Sequence, residues 1–338
     1  MSRALILVDR LGLFSIILMF WVIFVLFAQG FLSSITTFGL SRSIAITSVV
    51  GLAQMVVLSI GQMNLAVGAI GGMVGVATGW MMQVLGFPIW VAIAGGLLLG
   101  ALIGWVNGWL ITRTGINSFI VTLGMGSVIT GLVFILTKAE AFRDLPPAYT
   151  AFGKLRLIEI EWLALSPLFF IALAATGAIF LLYRGTVSGR RMLATGANER
   201  AARLSGVRVP AVVRGTHALS GFLAAMAGIM LVSRLGSALP SVGEDWLLPS
   251  FAAPIVGGTL LSGGAVSVVG TLLGAVLIES VSVGLTLLNV PSFWIQLFIG
   301  LVLLLAILLD RARTAAITRG RRIAPPPAPG MVRQESSP

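Results

Sequence analysis

The chain has 338 residues, 57% of them hydrophobic and only 10% charged, with mean hydropathy +1.05 and a net charge of +11. Soluble domains carry about 25% charged residues, so this composition excludes an ordinary soluble fold and points to an integral membrane protein. The arginines flank apolar runs, which assigns the positive balance to membrane topology and not to nucleic acid, and the absence of cysteine excludes disulfides and thiolate metal sites.

Residues 1–10 are basic, and 11–28 form an apolar run long enough to cross a bilayer. No small-residue cleavage site follows, so an uncleaved first helix is expected. Further spans are expected at about 43–61, 65–84, 88–111 and 118–137 and, after a polar stretch, at about 163–183, 210–233, 248–262, 267–288 and 292–309, ten in all. The expected fold class is an all-α polytopic membrane protein. Its transmembrane domain is expected to cover 1–310, with halves at about 11–137 and 163–310 and a charged loop at about 184–209. The tail 311–338, with Ala324-Pro-Pro-Pro-Ala-Pro-Gly330, is too polar and proline-rich to build a core. It is expected to be a disordered cytoplasmic segment whose arginines can meet anionic membrane lipid.

Arginine sets the orientation. With both termini inside, 16 of the 22 basic residues are cytoplasmic: Arg3, Arg10, Arg113, seven in the central loop and six in the tail. The other side keeps Arg42, Lys138, Arg143, Lys154, Arg156 and Arg234 beside six acids. That bias predicts an N-in, C-in chain with an even number of spans.

Small residues recur at helical spacing. Gly96, Gly100, Gly104 and Gly108 share one face, and Gly71, Gly75 and Gly79 another; such faces allow close helix approach within one subunit or across a dimer. Five spans precede the 138–162 loop and five follow it, the arrangement of an inverted repeat. The third and eighth spans hold matching positions and begin in interrupted segments, Gly61-Gln-Met-Asn-Leu-Ala-Val-Gly68 and Pro249-Ser-Phe-Ala-Ala-Pro-Ile-Val-Gly-Gly-Thr259. Paired short or broken spans in opposed halves point to a substrate route. Within it, Gln62, Asn64, Asn107, Thr122, Gly257, Gly258, Thr259 and Glu279 are the candidate lining residues. The neutral ones act either as interhelical glue or as a lining suited to an uncharged, polyhydroxylated solute. Glu279 is the one acid well inside a span, where a charge costs roughly 2.5–3.5 kcal/mol on insertion scales. It either lines the route or is protonated and hydrogen-bonded to neighbours such as Ser280 or Ser282. His217, the single histidine, argues against a Ser-His-Asp triad or a histidine metal centre and is expected to pack.

The central loop holds seven arginines: Arg184, Arg190, Arg191, Arg200, Arg203, Arg208 and Arg214. Within it Asn198 can cap a short helix, Glu199 favours the positive helix start, and Gly206 can end it in a left-handed conformation. Glu199 and Arg203 form an i,i+4 pair, and Ala201, Ala202 and Leu204 form a small apolar patch, followed by Ser205, that another protein could cover. The loop's physics alone also allows a plain solvated connection. No GxxxxGK[ST] phosphate loop surrounds Lys138 or Lys154, the only lysines, so the chain does not bind ATP in that manner by itself.

Several stretches together resemble the permease subunits of bacterial ATP-binding-cassette importers for monosaccharides, the ribose/xylose/arabinose-type group. Asn107-Gly-Trp-Leu-Ile-Thr-Arg-Thr-Gly-Ile-Asn-Ser-Phe-Ile-Val-Thr-Leu-Gly124 is similar to that family's NG.LI....I..FIVTLG stretch, and Gly196-Ala-Asn-Glu-Arg-Ala-Ala-Arg-Leu-Ser-Gly-Val207 to its G.NE.AARLSGI signature. Ser233-Arg-Leu-Gly-Ser-Ala-Leu-Pro240, Val256-Gly-Gly-Thr259, Gly263-Gly264 and Gly270-Thr-Leu-Leu-Gly274 follow its last third in order. The family's GGIDLSVG stands here with Asn64 for Asp and Ala66 for Ser, and Glu279 and Ser282 stand where Gly and often Asn are expected. The resemblance implies a homodimeric or heterodimeric permease pair in the bacterial inner membrane, two cytoplasmic ATPase subunits that use the ATP, and a periplasmic solute-binding protein. No cofactor is expected on this chain. The resemblance also implies that Asn198, Glu199, Ala201, Ala202, Leu204, Ser205 and Gly206 seat in a groove of the ATPase. The alternatives are the same machine for a nucleoside, a branched-chain amino acid or a furanose-like signal molecule. From another class comes an ion-coupled secondary transporter, which needs intramembrane carboxylates beyond Glu279.

Overall fold

The computed structural model describes residues 3–291, 293–301, 304 and 308, with side chains from Gly12 onward; the expected tail 311–338 lies outside the described residues. In order the elements are α1 (Arg3–Phe27), α2 (Ser34–Leu58), α3 (Val67–Gln83), α4 (Ile89–Thr114), α5 (Ser118–Thr137), α6 (Pro147–Lys154), β1 (Ile158–Ile160) and β2 (Leu163–Leu165). They are followed by α7 (Pro167–Gly185), α8 (Val187–Ala197), α9 (Glu199–Leu204), α10 (Val209–Leu235), α11 (Leu247–Val256) and α12 (Val268–Leu287), and residues 293–301 are helical. Among the described residues six helices, α2, α4, α5, α7, α10 and α12, are long and apolar enough to cross a membrane, so the chain is a polytopic membrane protein. Gly12–Phe27 and α11 are shorter apolar helices, and α3 has 17 residues.

Local chemistry sets the boundaries. Ser33, Asn117, Ser166 and Ser267 cap α2, α5, α7 and α12 by accepting backbone N–H groups with their side-chain oxygens. Gly115 and Gly236 close α4 and α10 in the left-handed conformation. The all-α expectation needs one correction. Residues 158–165 form an antiparallel hairpin, Ile158 opposite Leu165 and Ile160 opposite Leu163, and the span expected to start at 163 starts at Pro167. The β-branched Ile158 and Ile160 favour a strand, and α2 holds its partner strand. Thr37 Oγ1 accepts from Ala164 N at 3.0 Å, and Ser41 Oγ accepts from Ser166 N at 3.2 Å.

The core is built around α2 and α10. Helix α2 is buried along almost its whole length, among α10, α7, α11 and α12. Helix α10 packs on α4, α2 and α3. The α4 glycine face meets α10 directly: a Cβ at Gly100 would stand 2.6 Å from Gly221 O, and one at Gly108 2.7 Å from Arg214 Cα. Of the two packings the spacing allowed, this face is used within the subunit. The first helix packs on α12 through a separate cluster of Phe24, Phe31, Leu277 and Val281.

Candidate functional site

The arginine-rich loop folds into two helices. Thr186 caps α8 by accepting from Gly189 N at 3.1 Å. The extended backbone of Asn198 (φ −164°, ψ 101°) separates α8 from α9, and its Oδ1 accepts from Ala201 N at 3.0 Å, so one residue ends one helix and starts the next. Arg203 Nη2 lies 2.6 Å from Glu199 Oε1, both side chains being more than half exposed, a pair worth about 0.3–0.5 kcal/mol. Gly206 (φ +81°) follows Ser205, and both are exposed. Leu204 is 85% exposed, while Ala202 is 4% exposed and joins the main core with Met192, Val209 and Val213. The expected apolar patch is therefore corrected to Ala201 and Leu204: on so short a helix one side must anchor it to the bundle, and Ala202 faces that side.

The break between α2 and α3, residues 59–66, is held by side chains from two helices. Ser118 Oγ on α5 accepts from Met63 N at 3.2 Å and Thr122 Oγ1 accepts from Leu65 N at 3.0 Å. Asn64 works in both directions: Oδ1 accepts from Ala66 N at 3.0 Å, and Nδ2 donates to Ser220 Oγ on α10 at 3.0 Å. Gln62 Oε1 lies 2.9 Å from His217 Nε2, so the ring donates through Nε2. This break brings together Gln62, Asn64 and Thr122 of the expected lining residues. Sequence reading passed over Ser118 and Ser220, whose only signal was a hydroxyl within an otherwise apolar run; His217 was expected to pack, and it does.

The second break, residues 257–267, is held mainly by backbone. Pro254 lies inside the last turn of α11, and Thr259 N donates to Pro254 O at 2.9 Å. Thr259 Oγ1 accepts from Ser267 N at 3.2 Å, closing the loop onto the start of α12. Gly257 meets the backbone of Gly270 so closely that a side chain on either would collide with the other, and Gly258 adopts φ +86°.

Two candidates sit apart from both breaks. Asn107 lies between Gly104 and Gly108, the α4 residues that touch α10 at His217 and Arg214, and is fully buried with neither amide atom hydrogen-bonded within the chain. Glu279 is partly buried on α12, and Thr47 Oγ1 on α2 donates to its Oε1 at 2.5 Å. The expected partners Ser280 and Ser282 are replaced by this cross-helix contact; Ser280 Oγ instead accepts from Trp21 Nε1 at 2.9 Å. Arg234, which donates to Ser43 Oγ at 3.0 Å, is close enough to interact electrostatically with Glu279. Ser43 and Thr47, four residues apart on α2, therefore serve one ionisable side chain each.

At the hairpin end, a cleft of about 510 Å³ opens between the end of α5 and the loop after α10, lined by Phe134, Glu140, Arg143, Leu239, Pro240 and Ser241. In the neighbouring helix α6, burial pushes the Tyr149 hydroxyl above its ordinary range, and it donates to Ile229 O at 2.6 Å.

Comparison with known proteins adds the family context. The family described as "Branched-chain amino acid transport system / permease component" matches residues 35–307. The ribose import permease protein of Bacillus subtilis is 34% identical over 307 residues, covering 90% of this chain and 92% of that protein. The L-arabinose transporter permease of Azospirillum brasilense is 33% identical, covering 91% and 89%, and the xylose transport permease of Escherichia coli K12 is 31% identical, covering 84% and 86%. No solved structure matches this chain.

Proposed function

The chain belongs to the permease-component family of branched-chain amino acid transport systems, and from that premise we propose that it forms the membrane route by which an ATP-binding-cassette importer takes up a monosaccharide. It is a multi-pass protein of the inner membrane, crossing ten times with both termini inside. Two copies, or this chain and a paralogue, enclose the route. A periplasmic solute-binding protein delivers the sugar at the hairpin end, where the cleft beside α5 opens. Cytoplasmic ATPase subunits bind ATP and seat on α9.

The observation that carries this reading is the geometry of the arginine-rich loop. It presents a capped, charge-paired helix with an 85% exposed Leu204 at its tip, while Ala202 anchors the other side in the core. A solvated connection needs neither the anchor nor the double use of Asn198. The substrate class is supported by the named relatives and by the groups at the first break, which are amides, hydroxyls and the imidazole of His217. A zwitterionic amino acid needs carboxylate and ammonium or guanidinium partners, and among the described residues the break provides no Asp, Glu, Lys or Arg.

Replacing Glu199 with Lys tests the seat. The variant should insert normally while sugar uptake by the assembled importer is lost; normal uptake would remove α9 from the coupling role. Uptake of labelled ribose, arabinose, xylose and fructose, with nucleosides and branched-chain amino acids as the contrary set, tests the substrate class.

A further inference from the structure

Four glycines from three separate stretches of the chain meet beneath the arginine-rich loop. Gly196 is the last residue but one of α8; Gly61 follows α2 at the first break; Gly263 and Gly264 lie in the second break. A Cβ at Gly196 would collide with Ser59 O and stand 2.6 Å from Gly264 N. One at Gly263 (φ +85°) would stand 2.5 Å from Gly61 N, and one at Gly264 (φ +81°) 2.8 Å from Ala197 Cα. Gly264 N donates to Ser59 O at 3.0 Å, tying the two breaks to each other at the point where α8 touches both.

We propose that Gly61, Gly196, Gly263 and Gly264 form a rigid joint that carries movement of α9 to both interrupted spans at once. The proposal rests on the reading that α9 seats on the ATPase. Its physical basis is that the three strands meet backbone to backbone. Side-chain contacts can absorb a displacement by changing rotamer, whereas packed main chain cannot. Asn198 is the single residue between α8 and α9 and caps α9, so a push on α9 passes into the end of α8, where Gly196 lies, across one residue. From the joint, one arm leads through Gln62 and Asn64 to His217, Ser220 and α5. The other leads through the Thr259–Ser267 contact into α12. Each half of the chain contributes one break, so the joint is where a single cytoplasmic input addresses both halves.

The test uses the permease reconstituted with its ATPase and binding protein. Gly196→Ala adds a methyl group at a helical position that is not left-handed, drives it against Ser59 O and Gly264 N, and should wedge the joint. Insertion and co-purification of the ATPase should be unchanged, while sugar uptake falls about tenfold. Gly215→Ala, with nothing within 4 Å of the added Cβ, should transport normally. Wild-type uptake by Gly196→Ala, or loss of ATPase binding in the inserted variant, overturns the proposal.

A second arm does not depend on that variant folding. Ala197→Gly adds no atom and removes the methyl group that α8 sets against Gly264. A joint that works by close packing predicts normal insertion and ATPase binding with uptake per ATP hydrolysed down about threefold. Unchanged uptake per ATP hydrolysed would reject the joint. Failure of the underlying reading is read on a different variant: Leu204→Asp leaving ATPase co-purification intact would mean that the partner sits elsewhere.

Discussion

The break between α2 and α3 and the break between α11 and α12 are built by opposite means. The first, 59–66, is closed by side chains: three hydroxyls, two amides and an imidazole satisfy or flank its free backbone groups. The second, 257–267, is closed by main chain against main chain, with Gly257 on Gly270 and Ala253 O against Gly274. A backbone group left unpaired within a bilayer costs several kcal/mol, so both solutions are obligatory, yet they differ in tolerance. Side-chain closure can be rearranged by rotating a hydroxyl. Glycine closure permits no added atom. The first break can thus change its hydrogen bonds without moving main chain, and the second holds α11 and α12 in fixed register.

Substitutions sharpen this contrast in a graded way. Gly270→Val should have the largest effect, because its Cβ enters the Gly257 backbone; a loss of about 3 kcal/mol or more, seen as a collapse of the melting temperature in detergent, is expected. A near-native melting temperature would show that the second break is loose. Asn64→Leu should follow, since it orphans Ala66 N and Ser220 Oγ and costs about 2–3 kcal/mol, measured by the same melts alongside lost uptake. Thr122→Val removes one acceptor, from Leu65 N, for about 1–2 kcal/mol, and Thr122→Ser should restore it. Failure of the serine to rescue would assign Thr122 a packing role instead.

The smallest effects are expected where chemistry is conserved. Asn64→Asp keeps the acceptor for Ala66 N, and the Ser220 hydroxyl can turn to donate, so uptake should stay within about threefold of wild type. Glu279→Gln keeps an acceptor for Thr47 and should stay within about twofold. Abolished uptake at normal expression would make the carboxylate of Glu279 part of the route.

Much of this was legible in the residues, for identifiable reasons. Asn198, Glu199 and Gly206 announced α9 because caps and charge pairs act within one turn, and the i,i+4 glycines of α4 announced a close crossing. Which helix they crossed was not legible, because a small residue carries no address; Gly100 finds Gly221 only once α10 is placed. The hairpin at 158–165 was missed because three-residue strands depend on Thr37 and Ser41, over a hundred positions away. Glu279 was misassigned a local partner for the same reason. Its contact with Thr47 spans 232 positions, and local spacing favoured Ser280 or Ser282. The four-glycine joint combines both cases: each glycine was visible, and their meeting was not.

The most direct test of the account is uptake of labelled ribose, arabinose, xylose and fructose into proteoliposomes holding this chain, its ATPase and its binding protein. The account predicts accumulation of at least one sugar that requires ATP on the α9 side and is absent from vesicles holding this chain alone. Accumulation by the chain alone on a sodium or proton gradient would contradict it.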